Sequence, residues 1–499
     1  MCIRDSNSGV GFVTVDAGID NDNFSVLNSG GGTTLFGSLG NDTFTTNDGG
    51  TGSSTMLGGE GDDDFTVLNS GGGISQLGEA GNDTFLFNDS GTGIANLDGG
   101  DGMDDFTVLN SGTTSLTIDG SNDADTFTIN DVVGTATTEI LGGDGNDEYF
   151  VVNAGLGELT LRGEVGDDFY SVTNVDPTTT FAIIDSVNAE NDTLVATGTP
   201  FDDTFDINGS NPSFNGAWDV IGIENFTFDG LAGNDTFNID FPSSWTGTIT
   251  LHGGTGNDIF NVISAGSGTI NLFGEAGDDT YNVFFNSAGI VNITDSIDAE
   301  ADLFVGVGTS GDDVFTHSVG TANVNGFSAN IVGVEETEYD GLAGNDTFNV
   351  LSTSGLSTFR GGDGDDVFSI NAVTDTNVFQ GDAGSDRFLV NNQVAGATGT
   401  ITIDGGTQEN QIVVTGSQSA TNDVVIQDNL ITGISTLPIF YSAAGSFSNG
   451  LQNDGITLIG SDNNADLFEV NSFLATNTLT MLGGGGICLL YTSPSPRDS

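Results

Sequence analysis

The chain is predicted to be all-β: a parallel β-solenoid, of the β-roll or β-helix kind, made of stacked two-strand coils. Three observations predict it. Aromatic residues recur at almost constant spacing, each unit carries two short runs of alternating apolar residues, and one glycine-rich acidic turn returns at a fixed place in the unit.

The spacing sets the coil. Phe24, Phe44, Phe65, Phe85, Phe106, Phe127, Tyr149 and Tyr170 follow one another at steps of 20 to 22 residues. The mark returns at Phe237, Phe260 and Tyr281, at Phe348, Phe368 and Phe388, and at Phe468. A longer period shows that blocks were duplicated: Asp185-Ser186 recurs as Asp295-Ser296 after 110 residues, and the Asp404-Gly405 stretch follows after 109. Roughly 23 coils at a strand spacing of about 4.8 Å would stack to about 100 Å.

The strands come next. In Gly78 to Leu97 an acidic turn leads into Asp83-Thr84-Phe85-Leu86-Phe87, then a turn of Asn, Ser and Gly, then a second apolar run. Successive strand side chains alternate faces, so Phe and Val point one way and Thr and Asn the other. One coil cannot bury such a face alone, and neighbouring coils must stack to close the core.

Regular repeats span residues 7–184, 240–294 and 351–403, and 404–487 are degenerate. Two stretches break the spacing, Tyr170 to Phe205 to Phe237 and Tyr281 to Phe315 to Phe348, each totalling 67 residues, and the irregular blocks are 185–239 and 295–350. Three coils of about 22 residues fit that length. Asp202-Asp203-Thr204-Phe205 and Asp312-Asp313-Val314-Phe315 would then occupy the opposite edge of an uninterrupted solenoid; a protruding loop or small insertion is the alternative.

Residues 1–6 and 488–499 are expected to be scars of one inverted DNA element, because Met1 to Asp5 and Cys488 to Thr492 are translations of its two orientations. That element resembles the transposon end used in sequencing libraries. Cys2 and Cys488 lie in the scars, so disulfides, thiolate catalysis and cysteine metal sites are excluded for the rest.

The formal charge is -66, from 71 acidic residues against five Lys and Arg. No lysine occurs, and only Arg162, Arg360 and Arg387 lie outside the scars. Nucleic acid is excluded as an electrostatic partner, since phosphate binding needs basic clusters. No apolar run approaches the roughly 18 residues of a membrane helix, so no membrane insertion is expected.

External cations must balance the charge, and the acidic turn is where they are expected. Its full form, Gly-Gly-x-Gly-x-Asp-x-aromatic, occurs at Gly58 to Phe65, Gly99 to Phe106, Gly142 to Tyr149, Gly253 to Phe260 and Gly361 to Phe368. On these residues the chain resembles the RTX, or haemolysin-type, calcium-binding repeat family, in a divergent form with one acidic nonapeptide per coil. The resemblance implies a loop whose aspartate carboxylate and glycine carbonyls bind calcium, followed by a strand with its large apolar residue inward. Calcium takes six to eight hard oxygens, and glycine lets backbone carbonyls approach.

Carried over position by position, the implied metal ligands are Asp42, Asp63, Asp83, Asp104, Asp147, Asp168, Asp235, Asp258, Asp279, Asp346, Asp366 and Asp386. The chain departs from the family by alternating each acidic turn with an Asn-Ser-Gly turn, so one edge is expected to bind metal. Asp125 lies in a turn without the second glycine, and Asp466 follows a turn one residue longer.

An enzyme is not expected. His252 reads as a variable outward position, and His317 as a surface residue. Paired carboxylates such as Asp62-Asp63 recur in nearly every coil, unlike a local catalytic pair. Asn41-Asp42-Thr43, Asn82-Asp83-Thr84 and Asn234-Asp235-Thr236 match the glycosylation pattern but read as by-products of the turn. Trp218 and Trp245 read as packing residues rather than a sugar-stacking surface.

The expected function is a calcium-binding structural or adhesive rod in a large secreted or cell-surface bacterial protein. Calcium ions, with an extracellular glycan or protein ligand, are its expected partners. The second reading is the calcium-triggered folding and secretion segment of an exported toxin or hydrolase with its catalytic domain elsewhere. A β-helix enzyme acting on polysaccharide is the third.

Overall fold

A computed structural model describes residues 2–5, 11–27, 30–89, 91, 93–112, 115–130, 137–154, 157–173, 180–185, 190–208, 213–214, 218–296, 301–391, 397–406, 410–416, 423–427, 430–433, 435, 437–441, 455–460, 466–470, 479–482 and 488–492. These form an all-β parallel β-solenoid of about 18 turns without helix. Two compact units divide it: Met1–Asn238 with Gly247–Gly254, and Ile239–Thr246 with Thr255–Ser499.

In the first unit, one face consists of strands that follow the acidic turn, such as Thr43–Asp48, Asp64–Ser70, Thr84–Asn88 and Asp105–Asn110. They pair in parallel with Phe44 opposite Phe65 and Phe65 opposite Phe85. The rings from Phe24 to Tyr170 therefore stack, with neighbouring centroids 4.5 to 5.1 Å apart. That is the strand spacing itself, and each stacked pair contributes about 0.5–1.5 kcal/mol beyond its burial. The opposite face, with strands such as Ser54–Glu60, Ile74–Ala80 and Ile94–Asp101, buries Leu35, Met56, Leu97, Ile118, Ile140, Leu161 and Ile183 against these rings.

The irregular block of this unit moves the acidic turn to the other edge. Phe169–Val172 pairs with Thr193–Thr197, which pairs with Asn225–Asp229. Thr193–Thr197 runs directly into a second acidic turn, Gly198 to Asp203, at the end where earlier coils carry the Asn-Ser-Gly turn. The chain then folds back: Thr204–Asn208 runs antiparallel to Ser213–Phe214, and Trp218–Ile221 returns parallel to Thr180–Ile184. Phe205 stacks on Phe237 at 4.7 Å. Asp203 and Phe205 thus lie on the opposite edge as expected, but the aromatic column does not return at Phe237, because it starts anew at Phe205.

The second unit repeats the device twice. Leu303–Val307 leads into the Gly308 to Asp313 turn, and Val314–Ser318, Thr321–Val324 and Phe327–Val332 form an antiparallel meander whose last strand pairs with Ile290–Thr294. Asp423–Gln427, Leu430–Thr432 and Ile439–Tyr441 form another, whose last strand pairs with Gly399–Asp404. The two meander coils linked by Asp203 to Asp235 and Asp313 to Asp346 span 32 and 33 residues, longer than the regular coil, and the solenoid has about 18 turns rather than roughly 23.

Cys2–Asp5 and Cys488–Thr492, the expected scars, pair in parallel with Asn23–Leu27 and Asp466–Val470. An open strand edge templates almost any short β-capable run.

The histidine and tryptophan positions sharpen the core. His317 is buried, not superficial: its Nδ1 lies 2.7 Å from the Tyr339 hydroxyl, and burial lowers its pKa to about 4. It sits two residues after the inward Phe315 and pairs with the buried Val350, so it takes the inward place that an apolar residue holds in the regular coils. Trp218 is buried edge-on to Phe181, and Trp245 stacks on Phe241 at 3.7 Å.

Candidate metal centre

Each acidic turn is built alike. A strand ends at an inward-facing glycine, the chain swings through the left-handed region, and an aspartate five residues later turns its side chain back inside. At Asp63 the inward residue is Gly58, and Gly59 and Gly61 take φ of 116° and 132°. Ser38, Glu79, Ser121 and Glu164 hold the place of Gly59 at φ of 76° to 81°, so only part of the glycine pair is obligatory.

The aspartates form ladders along the coils. Asp42 donates its backbone N–H to Asp63 Oδ1 at 2.6 Å, Asp63 to Asp83 at 2.7 Å and Asp83 to Asp104 at 2.7 Å. Asp104, Asp125, Asp147, Asp168 and Asp192 continue in the same sense, and Glu224 Oε2 accepts the Asp192 N–H at 3.2 Å. On the other edge of this unit, Asp203 donates to Asp235 Oδ1 at 2.7 Å.

In the second unit, Asp258, Asp279 and Asp302 form one ladder that ends on Glu335 Oε2 at 3.3 Å. Asp313, Asp346, Asp366 and Asp386 form another that ends on Asn410 Oδ1 at 2.7 Å. All twelve expected aspartates stand in these ladders, each no more than 2% exposed.

The second carboxylate oxygen carries the chemistry. Oδ2 of Asp42, Asp63, Asp83, Asp104, Asp147, Asp168, Asp279, Asp346, Asp366 and Asp386 is buried without a hydrogen-bond partner. It lies against the inward glycine: a Cβ at Gly58 would collide with Asp63 Oδ2 and come 2.8 Å from the Gly78 carbonyl oxygen of the next coil. At Gly37, Gly58, Gly78, Gly99, Gly120 and Gly341 a carboxylate oxygen and the next coil's glycine carbonyl therefore share one small space. Burial, opposed by the ladder hydrogen bond and reinforced by neighbouring carboxylates, pushes Asp63, Asp83 and Asp366 up to about 7 and Asp125 and Asp386 to about 8.

No protein-family model matches this chain, and no curated protein matches it.

The site therefore rests on its own geometry: coils of about 21 residues with a ladder of buried aspartates, one per coil. Among the described residues, two groups of three buried aspartates could hold a metal ion, Asp168 with Asp185 and Asp192, and Asp279 with Asp295 and Asp302. In each, one ligand oxygen per residue lies within 4.8 Å of the others. Tyr170 donates its hydroxyl to Asp185 Oδ2 at 2.7 Å, and Tyr281 to Asp295 Oδ2 at 2.6 Å.

Asp168 and Asp279 were expected as ligands; Asp185, Asp192, Asp295 and Asp302 were not. The signal available was the 110-residue recurrence of Asp185-Ser186, of which Ser186 lies outside the described residues. Asp125, Asp203 and Asp313 also belong to ladders, and each precedes its aromatic residue by two positions.

The outer residue of the turn has its own use. Asn41 Oδ1 accepts the Asp62 N–H at 3.3 Å, and Asn82 Oδ1 accepts the Met103 N–H at 3.1 Å. These asparagines tie coils together, which accounts for the glycosylation-like triplets without glycan.

Proposed function

We propose that this chain is a non-enzymatic, calcium-binding structural segment of a secreted or cell-surface protein, a spacer or adhesive solenoid whose coils are clamped by cations. One observation carries the reading: in successive coils a buried carboxylate oxygen with no hydrogen-bond partner faces a glycine carbonyl of the next coil. Hard oxygens of these two kinds suit calcium, and stacked carboxylates without a countercharge repel one another. The half-exposed ion pairs of Arg162 with Glu139 and Arg360 with Glu338 use carboxylates that are not part of the ladders.

The resemblance of the turns to the RTX family supports calcium as the ion. Sites of about 10⁻⁴ to 10⁻³ M are filled outside cells and empty in the cytosol, which supports an extracellular location. A surface glycan or protein is the partner this role implies.

Circular dichroism of the whole chain, during a calcium titration from chelator to about 10 mM with magnesium as control, tests the reading. A calcium-specific gain in β signal or melting temperature is expected. Full β signal in chelator, unmoved in amplitude and melting temperature by calcium, would overturn the clamp and leave a metal-independent spacer.

A further inference from the structure

The turns that close the Asp168 and Asp279 coils differ from every regular turn in the residue on the inward glycine position. Strand register sets Leu161 opposite Ile183, so Asp185 stands over Gly163; it sets Leu272 opposite Ile293, so Asp295 stands over Gly274. In the preceding coils that position is glycine, because the ladder carboxylate fills the space. An aspartate there brings a second carboxylate into the same space: a Cβ at Gly163 would meet Asp168 Oδ2, Asp185 Oδ2 and the Tyr170 hydroxyl, and one at Gly274 would meet Asp279 Oδ2, Tyr281 and Asp295 Oδ2.

We propose that each triad, Asp168–Asp185–Asp192 and Asp279–Asp295–Asp302, is a distinct site for one hard multivalent cation of the calcium class, tighter than any position along the ladders. The residues are at most 7% exposed, and Oδ2 of Asp168, Asp192 and Asp279 is buried with no hydrogen-bond partner. Three carboxylates within 4.8 Å supply more negative charge than one hard divalent ion carries, whereas a ladder position offers one carboxylate and one carbonyl. The tyrosine hydroxyl donates to the added carboxylate and fixes its orientation toward the other two.

The molecule contains its own control. The third edge change, in the second unit, has the same meander but keeps glycine at the inward position: Phe379 pairs with Ile403, which sets Gly405 over Gly381. There the ladder ends on Asn410, and Phe388 stands where Tyr170 and Tyr281 stand. Asp to Gly, Asp to Asn and Tyr to Phe change together, so the edge change does not need the acids. Their joint presence at the other two is a feature of a site rather than of the turn.

This goes beyond the ladder reading, since Asp185 and Asp295 are not ladder members and the triads can bind if the ladders do not. The test is titration of the metal-stripped full chain with terbium as the calcium probe, read by emission on exciting tyrosine and by calorimetry. Two ions per chain, bound at least ten-fold more tightly than any others, are expected.

Asp185→Asn and Asp295→Asn should each remove one tight ion and lower emission, and together remove both. Asp404→Asn, the neighbour of the third inward position, should leave both. Tyr170→Phe should cut emission while the calorimetric count stays at two, a readout independent of any folding loss in the aspartate variants. No separable tight class, or a tight count unchanged in the Asp185→Asn/Asp295→Asn double variant, would overturn the triads. Weaker sites lost on Asp63→Asn and Asp83→Asn, with the tight pair intact, would report on the ladder alone.

Discussion

The regular coils and the coils that end at an edge change solve the same packing problem differently. Around Gly381 the inward space holds one carboxylate oxygen, from Asp386; around Gly163 it holds two carboxylates and a phenol. The regular coil and the third edge change keep glycine at that position, and the first two edge-change coils lengthen the turn and admit an acid. Asp185 precedes Asp192 by seven residues, whereas Gly381 precedes Asp386 by five. Negative charge in this interior is therefore concentrated deliberately at two points and rationed to one group per coil elsewhere.

The largest effect expected from probing this contrast is steric. Gly163→Ala should destabilise the first unit by about 3 kcal/mol and Gly381→Ala the second by about 2 kcal/mol, measured by urea unfolding, because overpacking an interior costs more where more atoms must move. Equal losses would mean that the crowding at Gly163 is relieved by simple rotation of Asp185. Exchanging the ring types comes next. Phe388→Tyr buries a hydroxyl where Gly405 offers no carboxylate and should cost about 2 kcal/mol. Tyr281→Phe should cost about 1 kcal/mol, since Asp295 Oδ1 keeps the Ser296 N–H at 2.7 Å.

Acidity gives a third test. Burial raises Asp168, Asp279 and Asp386 to about 8, Asp192 and Asp302 to about 7 and Asp147 to about 6, against an unfolded value of 3.8. The folded state then holds more protons than the unfolded chain between these values, so metal-free stability should fall as pH rises from about 5 to about 8. Thermal melts in chelator should show that fall, and calcium should flatten it by holding the carboxylates ionised. A melting temperature that rises over this range in chelator would contradict the buried, partnerless carboxylates. The smallest effect belongs to the surface: Arg360→Gln breaks a half-exposed pair with Glu338 at 3.2 Å and should cost about 0.5 kcal/mol in either state of metal loading.

Much of this is legible in the sequence. Phe24 to Tyr170 announced the coil because a stacked ring needs its partner one strand away, and Asp42 to Asp386 announced the ladders because turn chemistry alone does not demand aspartate at one position. The edge changes were half legible: Asp203 and Asp313 stood out of phase, but the antiparallel meanders were hidden, since Thr204–Asn208 and Val314–Ser318 have the same alternation as any parallel strand. The triads left only the recurrence of Asp185-Ser186 at Asp295-Ser296 as a trace. Asp185 looks like a turn residue in sequence, and only the register of Leu161 against Ile183 reveals that it stands where glycine otherwise must. By sequence spacing Asp404 seemed its third counterpart; by register that counterpart is Gly405.

Every ladder hydrogen bond points the same way, from the N–H of one aspartate to the carboxylate of the next coil along the chain. A stack assembled in that sense always presents one unmet amide at its advancing face, ready for the acid that arrives with the following coil. The ladder is polar, like the step of a crystal. Glu224, Glu335 and Asn410 then act as punctuation: each satisfies the final amide of its row with a side chain of different length or charge, and after Glu224 and Glu335 the next row opens on the other side.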